Sequence, residues 1–267
     1  MLKIESTHEF YHDFGCDDDC RQFLFDLKWK DGFSCIKCGH KKSWRGRTNF
    51  HKRCASCDYD ESCTANTIFH KVKFPLLKAF GIAFQIAVPK KGRSTVDLAR
   101  DFKLFQPTVW LFKNKVQKIM GTQFSDQSEI SLPGKKFSVD SIIMTHRGEN
   151  LNGFQRFDLY LNEHSCGEEK KLICSNLIIL PEGEREISRL VQGQFKEPRT
   201  NMILWNFKSW LTGIHHHCSL AFLKGYLNEF FFKYNYRKER ETIWYRLIER
   251  SLVGRNILSF TKGHLTI

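Results

Sequence analysis

The chain has 267 residues, 41% of them hydrophobic, with 24 Phe, 6 Trp, a formal net charge of +13 and a pI near 9.3. That length and apolar content give room for two domains, or one plus a module, and exclude a disordered basic tail. Cations mixed with aromatics favour nucleic acid over a membrane surface as the anionic partner, since neither end carries an amphipathic Lys-rich helix. No apolar run reaches membrane-spanning length, and Met1-Leu2-Lys3 does not open a signal peptide. Ten cysteines in a chain this long fit reduced thiols better than a secreted disulfide scaffold. The expected setting is the bacterial cytoplasm, on the nucleoid, or a eukaryotic nucleus.

In chain order, residues 16–30 read as a helix. Asp17 to Asp19 supply caps and first-turn acids, and Cys20, Phe23, Leu24 and Leu27 recur at helical spacing. Cys16 and Cys20 form a weak second candidate for metal. Two CxxC knuckles follow, Cys35-Ile-Lys-Cys38 and Cys54-Ala-Ser-Cys57, within a ribbon over about 32–59. Each puts two thiols on one tight turn, and Cys35, Cys38, Cys54 and Cys57 together can close a tetrahedral site for structural Zn²⁺. The stretch between them is rich in Lys and Arg and carries Trp44, which suits nucleic acid. A bare folding staple and a protein-contact module are the alternatives.

Residues 64–70 read as a connector and residues 74–88 as an apolar helix, with Pro75 in its first turn. The basic turn Pro89-Lys-Lys-Gly-Arg93 comes next. Ser94 caps a short helix over Thr95–Phe102, and a third helix runs from Pro107 to Met120. Helix, turn, short helix, tight turn and longer helix make up the helix-turn-helix plan. Val109, Phe112, Val116 and Ile119 should face inward. Arg93, Thr108, Lys113, Asn114 and Lys118 are then left to meet double-stranded DNA, with a plain three-helix connector as the alternative.

A polar stretch from Gly121 to Gly134 reads as a boundary. Strands are expected over 136–144, 154–162 and 170–180, and helices over 185–195, 200–211 and 220–236. Strands followed by a helix, with Asp140 near the end of the first strand, fit a nuclease-type α/β core. Such a core uses carboxylates to hold two divalent cations. Asp140 also fits a strand-end turn residue. The aromatic stripe Tyr226, Phe230, Phe231 and Tyr234 reads as core. His215 to His217 are adjacent, so they cannot converge on one ion from a regular helix.

Longer segments carry a family resemblance. Trp205-Asn-Phe-Lys-Ser-Trp-Leu-Thr-Gly-Ile-His-His-His-Cys-Ser219, Tyr226-Leu-Asn-Glu-Phe230 and Tyr234-Asn-Tyr-Arg237 resemble the C-terminal signature of the zinc-ribbon insertion-sequence transposases and their eukaryotic Merlin relatives. Leu27-Lys-Trp-Lys-Asp-Gly-Phe33, Tyr59-Asp-Glu-Ser62, Phe69 to Phe80 and Ala87 to Thr95 are similar to the family in order and spacing, so the likeness runs over roughly residues 15–240. It implies an α+β, multi-domain chain. An N-terminal helix and zinc ribbon would fill 1–70, a helix-turn-helix 71–121 and a ribonuclease-H-like core 122–252, with a tail over 253–267.

The family cuts and joins DNA at the terminal inverted repeats of transposons, as a homo-oligomer on DNA. Its catalytic set is two Asp, an Asn and a Lys, working with Mg²⁺ or Mn²⁺. Asp140, Asn206 and Lys208 match three of the four. Ser141 stands where the family has Glu. The only Asp between Asp140 and Asn206 is Asp158, on the second expected strand. Glu182, Glu184 and Glu186 read as first-turn acids of a helix. The strand that carries the family's second Asp is therefore expected to be missing, leaving a truncated core with a degenerate catalytic site. A non-enzymatic DNA-binding regulator is the alternative.

Overall fold

In the computed structural model, which describes residues 2–121, 137–145, 154–166, 169–179, 198–214 and 220–253, the chain opens with two capped helices. Helix α1 (Thr7–Asp13) starts at a capping box: Ser6 Oγ accepts from Glu9 N at 3.2 Å, and the Glu9 carboxylate accepts from Ser6 N. Periodicity alone predicts no helix here. In α2 (Asp17–Lys28), the Asp19 carboxylate takes the N–H groups of Gly15 and Cys16 at 2.9 Å, so the run of three acids is put to use at the N-terminus.

Three short strands follow, β1 (Ser43–Arg45), β2 (His51–Cys54) and β3 (Asp60–Ser62), antiparallel in that order. Helix α3 (Leu76–Ala87) is apolar on nearly every side, and nine of its twelve residues are buried. A helix that is hydrophobic all round belongs in the interior. Helix α4 (Thr95–Phe102) begins at Ser94, whose Oγ accepts from Asp97 N at 3.1 Å. It ends at Lys103, whose φ of 51° lets the chain turn into α5 (Gln106–Gly121). Replacing Ser94 with Ala should cost about 1 kcal/mol, read as a shift in denaturation midpoint, because one helical N–H loses its acceptor.

Strands β4 (Phe137–Thr145), β5 (Phe154–Cys166) and β6 (Glu169–Ile179) form a second antiparallel sheet in the order β4-β5-β6. Helix α6 (Pro198–Thr212) packs against β4, and α7 (Leu220–Asn235) packs against β6 and α5. The chain then runs through a short 3₁₀ turn into α8 (Ile243–Val253). The polar segment from 122, the helix expected over 185–195, His215 to His217 and the tail from 254 lie outside the described residues.

There are two hydrophobic clusters. One joins Ile203, Leu204, Phe207 and Leu211 of α6 to Leu223, Leu227, Phe230 and Phe231 of α7. The larger one runs from Ile4 through α2, α3 and α5 and takes in α8. At its centre Trp244, 1% exposed, meets the rings of Phe10, Phe14, Phe23 and Phe80 at centroid distances of 5.3–5.8 Å. Helix α8, expected to belong to the 122–252 stretch, thus completes the core formed by α2, α3 and α5.

Candidate metal centre and nucleic-acid interface

The two knuckles are built alike. In each, the N–H four residues after the first cysteine bonds back to that cysteine's carbonyl, Gly39 to Cys35 at 2.8 Å and Asp58 to Cys54 at 3.2 Å. The cysteine's own N–H bonds forward to the carbonyl of the fifth residue, His40 or Tyr59, at 2.9 Å in both. Such a turn needs a left-handed residue at its fourth step, and Gly39 (φ 73°) and Asp58 (φ 56°) supply it. Strands β1 and β2 then bring the two turns together, with Ser43 paired to Cys54.

The four sulfurs lie within 4.8 Å of one another, with Cys35–Cys57 and Cys38–Cys54 at 3.5 Å. A tetrahedron around an ion with bonds of about 2.3 Å has edges of about 3.8 Å, so the cage has the size of a Zn²⁺ site. Its electrostatics ask for a cation. Burial pushes the Cys54 thiol up, but the N–H groups of Cys57 and Ser56, with the thiols of Cys38 and Cys57, outweigh that and hold it at about 7. At Cys57 the Tyr59 N–H pulls the pKa down, yet burial and the three neighbouring thiols push it up to about 12. Without an ion the cage cannot carry four thiolates together. A bound dication removes that conflict, and thiolates are what it binds. Among the described residues no other group of metal-ligating side chains has this convergence. Cys16 is exposed and Cys20 is buried, its thiol pushed up by burial.

Residues 15–60 match the family described as Transposase zinc-ribbon domain. No curated protein and no solved structure matches the chain. The matched stretch therefore spans α2 as well as the knuckles, and the structure gives a physical reason. Lys28, at the end of α2, is buried and donates to the carbonyls of Ser62 and Ala65 at 2.8 Å each. It also pairs with Glu61 of β3 at 2.7 Å, both side chains being 1% exposed. The helix is locked to the ribbon by a desolvated ion pair.

Helices α4 and α5 place the residues expected to meet DNA unevenly. Val109, Phe112, Val116 and Ile119 are buried, as the periodicity predicts. Lys118 is exposed, and Thr108 and Asn114 are half-buried. Leu111, Asn114 and Lys118 follow at a spacing that keeps them on one stripe of α5. Lys113 does not stand there. It is 2% exposed, its Nζ donates to the carbonyl of Arg93 at 2.6 Å, and it lies 3.7 Å from Glu229 of α7. Helix α7 covers that side of α5 and turns a residue expected to face DNA into an internal cation. Arg93 pairs with Asp101 and thus holds the turn before α4 to its C-terminal half.

Around Glu229 a polar cluster is buried. Gln117 Nε2 donates to one carboxylate oxygen at 2.9 Å, and Lys233 Nζ to the other at 3.0 Å. Sequence reasoning missed this cluster, although an acid inside Leu227-Asn-Glu-Phe-Phe-Phe232 is a signal for a buried partner. Close packing of α5 on α7 accompanies it: a Cβ on Gly225 would lie 2.7 Å from the Gln117 side chain.

Asp140 sits in β4 opposite Leu159, and Asp158 sits in β5 opposite Ser141. The two positions are one register step apart along the β4–β5 pair. Asn206 is exposed on α6, and Lys208 is half-buried. Two residues turn a helix by about 200°, so these two do not share a face. No helix among the described residues is long and apolar enough to cross a membrane.

Proposed function

We propose that this chain is a transposase-related protein that binds the terminal inverted repeats of a transposon as a homo-oligomer on double-stranded DNA. The observation that carries the reading is the match over residues 15–60 to the Transposase zinc-ribbon domain, lying on a four-thiol cage. The helix-turn-helix next to it supports the reading, with Thr108, Asn114 and Lys118 toward DNA and Arg93 bracing the turn. In this proposal the ribbon holds Zn²⁺ as a staple and the domains divide near residues 70 and 121. The three antiparallel strands β4 to β6, with α6 laid on β4, are the remnant of a ribonuclease-H-like core.

The catalytic part of the proposal rests on Asp140, Asn206 and Lys208 with Mg²⁺ or Mn²⁺. Hard divalent cations are held mainly through carboxylates, and an amide is a poor substitute. One Asp and one Asn leave a two-metal site short of charge, so cutting and joining should be weak. A strand-cleavage and strand-transfer assay on a duplex transposon end, with Mg²⁺ or Mn²⁺, tests this. Salt-sensitive binding with little cutting is expected, and robust cutting overturns the degenerate-site claim. The second reading, a DNA-binding regulator without catalysis, is favoured by the sequence between Asp140 and Asn206, whose only Asp lies on β5 rather than on a later strand.

Lys118→Ala should weaken duplex binding across all sequences and reduce the slope of log affinity against log salt by about 1, since one phosphate contact is lost. An unchanged slope would remove α5 from the interface.

A further inference from the structure

The side of α5 that stays in water is apolar where a helix entering DNA would meet bases. At about 100° of turn per residue, Thr108, Leu111, Asn114, Lys115 and Lys118 fall within one arc of about 120°. Leu111 occupies the middle of that arc and is 59% exposed. Phe105 opens the helix, its carbonyl accepting from the N–H groups of Thr108 and Val109 at 3.0 and 3.2 Å, and it is 76% exposed. The polar side chains of this end are engaged inside the chain. Gln106 Nε2 donates to Thr95 Oγ1 at 2.9 Å, and Lys113 is buried beside Glu229. Lys115 is half-buried and donates to the carbonyl of His70 at 3.2 Å. Lys118 is exposed, but it lies in the last turn, and α5 contains no Arg.

We propose that α5 reads A·T pairs in the major groove, with Leu111 against the C5 methyl of a thymine and Asn114 on an adenine. The chemistry of the base edges decides between pairs. Guanine is met by the paired donors of Arg or Lys, and the entering turns of α5 offer neither to solvent. Thymine alone presents a methyl group in the groove, and an aliphatic side chain is its complement. Leu111 in water is uncovered apolar surface, and contact with a methyl removes both surfaces from water. Asn114 supplies an acceptor and a donor for the adenine edge. Three residues rise about 4.5 Å along a helix, against about 3.4 Å for one base step, so Leu111 and Asn114 reach the same or adjacent pairs. This inference rests on the proposed duplex binding through α5 and names the base chemistry that this face selects.

The test enriches binding sites from a random duplex pool with the full-length, zinc-loaded protein. Thymines of the enriched duplex are then replaced by uracil one at a time, and affinity is read by fluorescence anisotropy. Uracil keeps the base pair and lacks only the methyl. One such replacement should cost the wild type about 4-fold, the worth of one buried methyl. The same replacement should cost Leu111→Ala nothing, which separates a methyl contact from a change in duplex shape. Ala is a good helix former at an exposed site, and helicity equal to wild type confirms that the variant is folded. The proposal is overturned if no single uracil weakens wild-type binding, or if the uracil that does so weakens Leu111→Ala equally. It also falls if Leu111→Ala changes the oligomeric state while the thymine-to-uracil ratio stays at the wild-type value, which assigns Leu111 to a contact between copies. Those results leave duplex affinity and the Lys118 salt slope standing, whereas a wild type that binds no duplex removes the parent reading as well.

Discussion

Stripping zinc from the chain is expected to unfold the ribbon and leave the helical core standing. The strands that bring the knuckles together have three, four and three residues. A sheet so small cannot bury enough apolar surface to hold itself. Structural zinc in comparable sites contributes about 10–16 kcal/mol of apparent binding free energy near pH 7, which is then folding free energy. Cys38→Ser and Cys57→Ser are the cleanest variants, because these two thiols are exposed and their loss removes a ligand and little packing. Each should abolish stoichiometric zinc, and amide exchange across 43–62 should lose its protection. Protection at Phe80 and Trp244 should survive, since those rings sit in the large core. Unchanged exchange in the ribbon after complete zinc release would remove the staple role. Because the ligands bind as thiolates, acid should release the ion.

Glu229→Ala should cost about 3–5 kcal/mol, measured by chemical denaturation, because it leaves the buried Lys113 without its counter-charge. The sign of the pH dependence follows from the same cluster. Burial alone would raise the Glu229 carboxyl, but Lys233, Lys113 and the Gln117 amide outweigh it and hold the group below the ordinary carboxylate range. A folded-state value below the unfolded value of about 4.3 means that the stabilisation is complete above that pH and is lost as pH falls through the folded value. Glu229→Gln should therefore flatten the acid side of the stability profile. Lys113 shifts down, chiefly by burial, so its charged form is the strained one. A double change, Lys113→Met with Glu229→Leu, should recover much of the loss, as apolar replacements of buried ion pairs often do. If Glu229→Ala unfolds at the wild-type denaturant concentration, the cluster is not holding α5 to α7.

Local chemistry made much of this chain legible in advance. The CxxC spacing announces the cage because each knuckle closes within six residues, through bonds such as Gly39 N to Cys35 O. Ser94 and the four apolar residues of α5 lie where capping and periodicity put them, since both signals act over one or two turns. Helix α1 was missed although Ser6-x-x-Glu9 is a capping-box pattern, because a seven-residue helix has little periodicity to display.

What the sequence determined by itself is the four-cysteine ribbon, the helices α2 to α5 in their order and the basic, aromatic character of the 32–57 stretch. These depend on neighbours along the chain and on charge, which folding does not alter. The tertiary structure alone decided which polar groups stay in water. Lys113 reads as a DNA contact until α7 arrives and buries it beside Glu229, in a cluster whose Gln117 and Glu229 are 112 residues apart. Trp244 reads as one more aromatic until α8 returns to the first core and sets it among four phenylalanines. Trp44 goes the other way, an indole the fold leaves exposed at the rim of a cleft. Helical spacing shows which apolar residues turn inward, but whether a lone polar or aromatic side chain is covered depends on distant contacts that spacing does not carry.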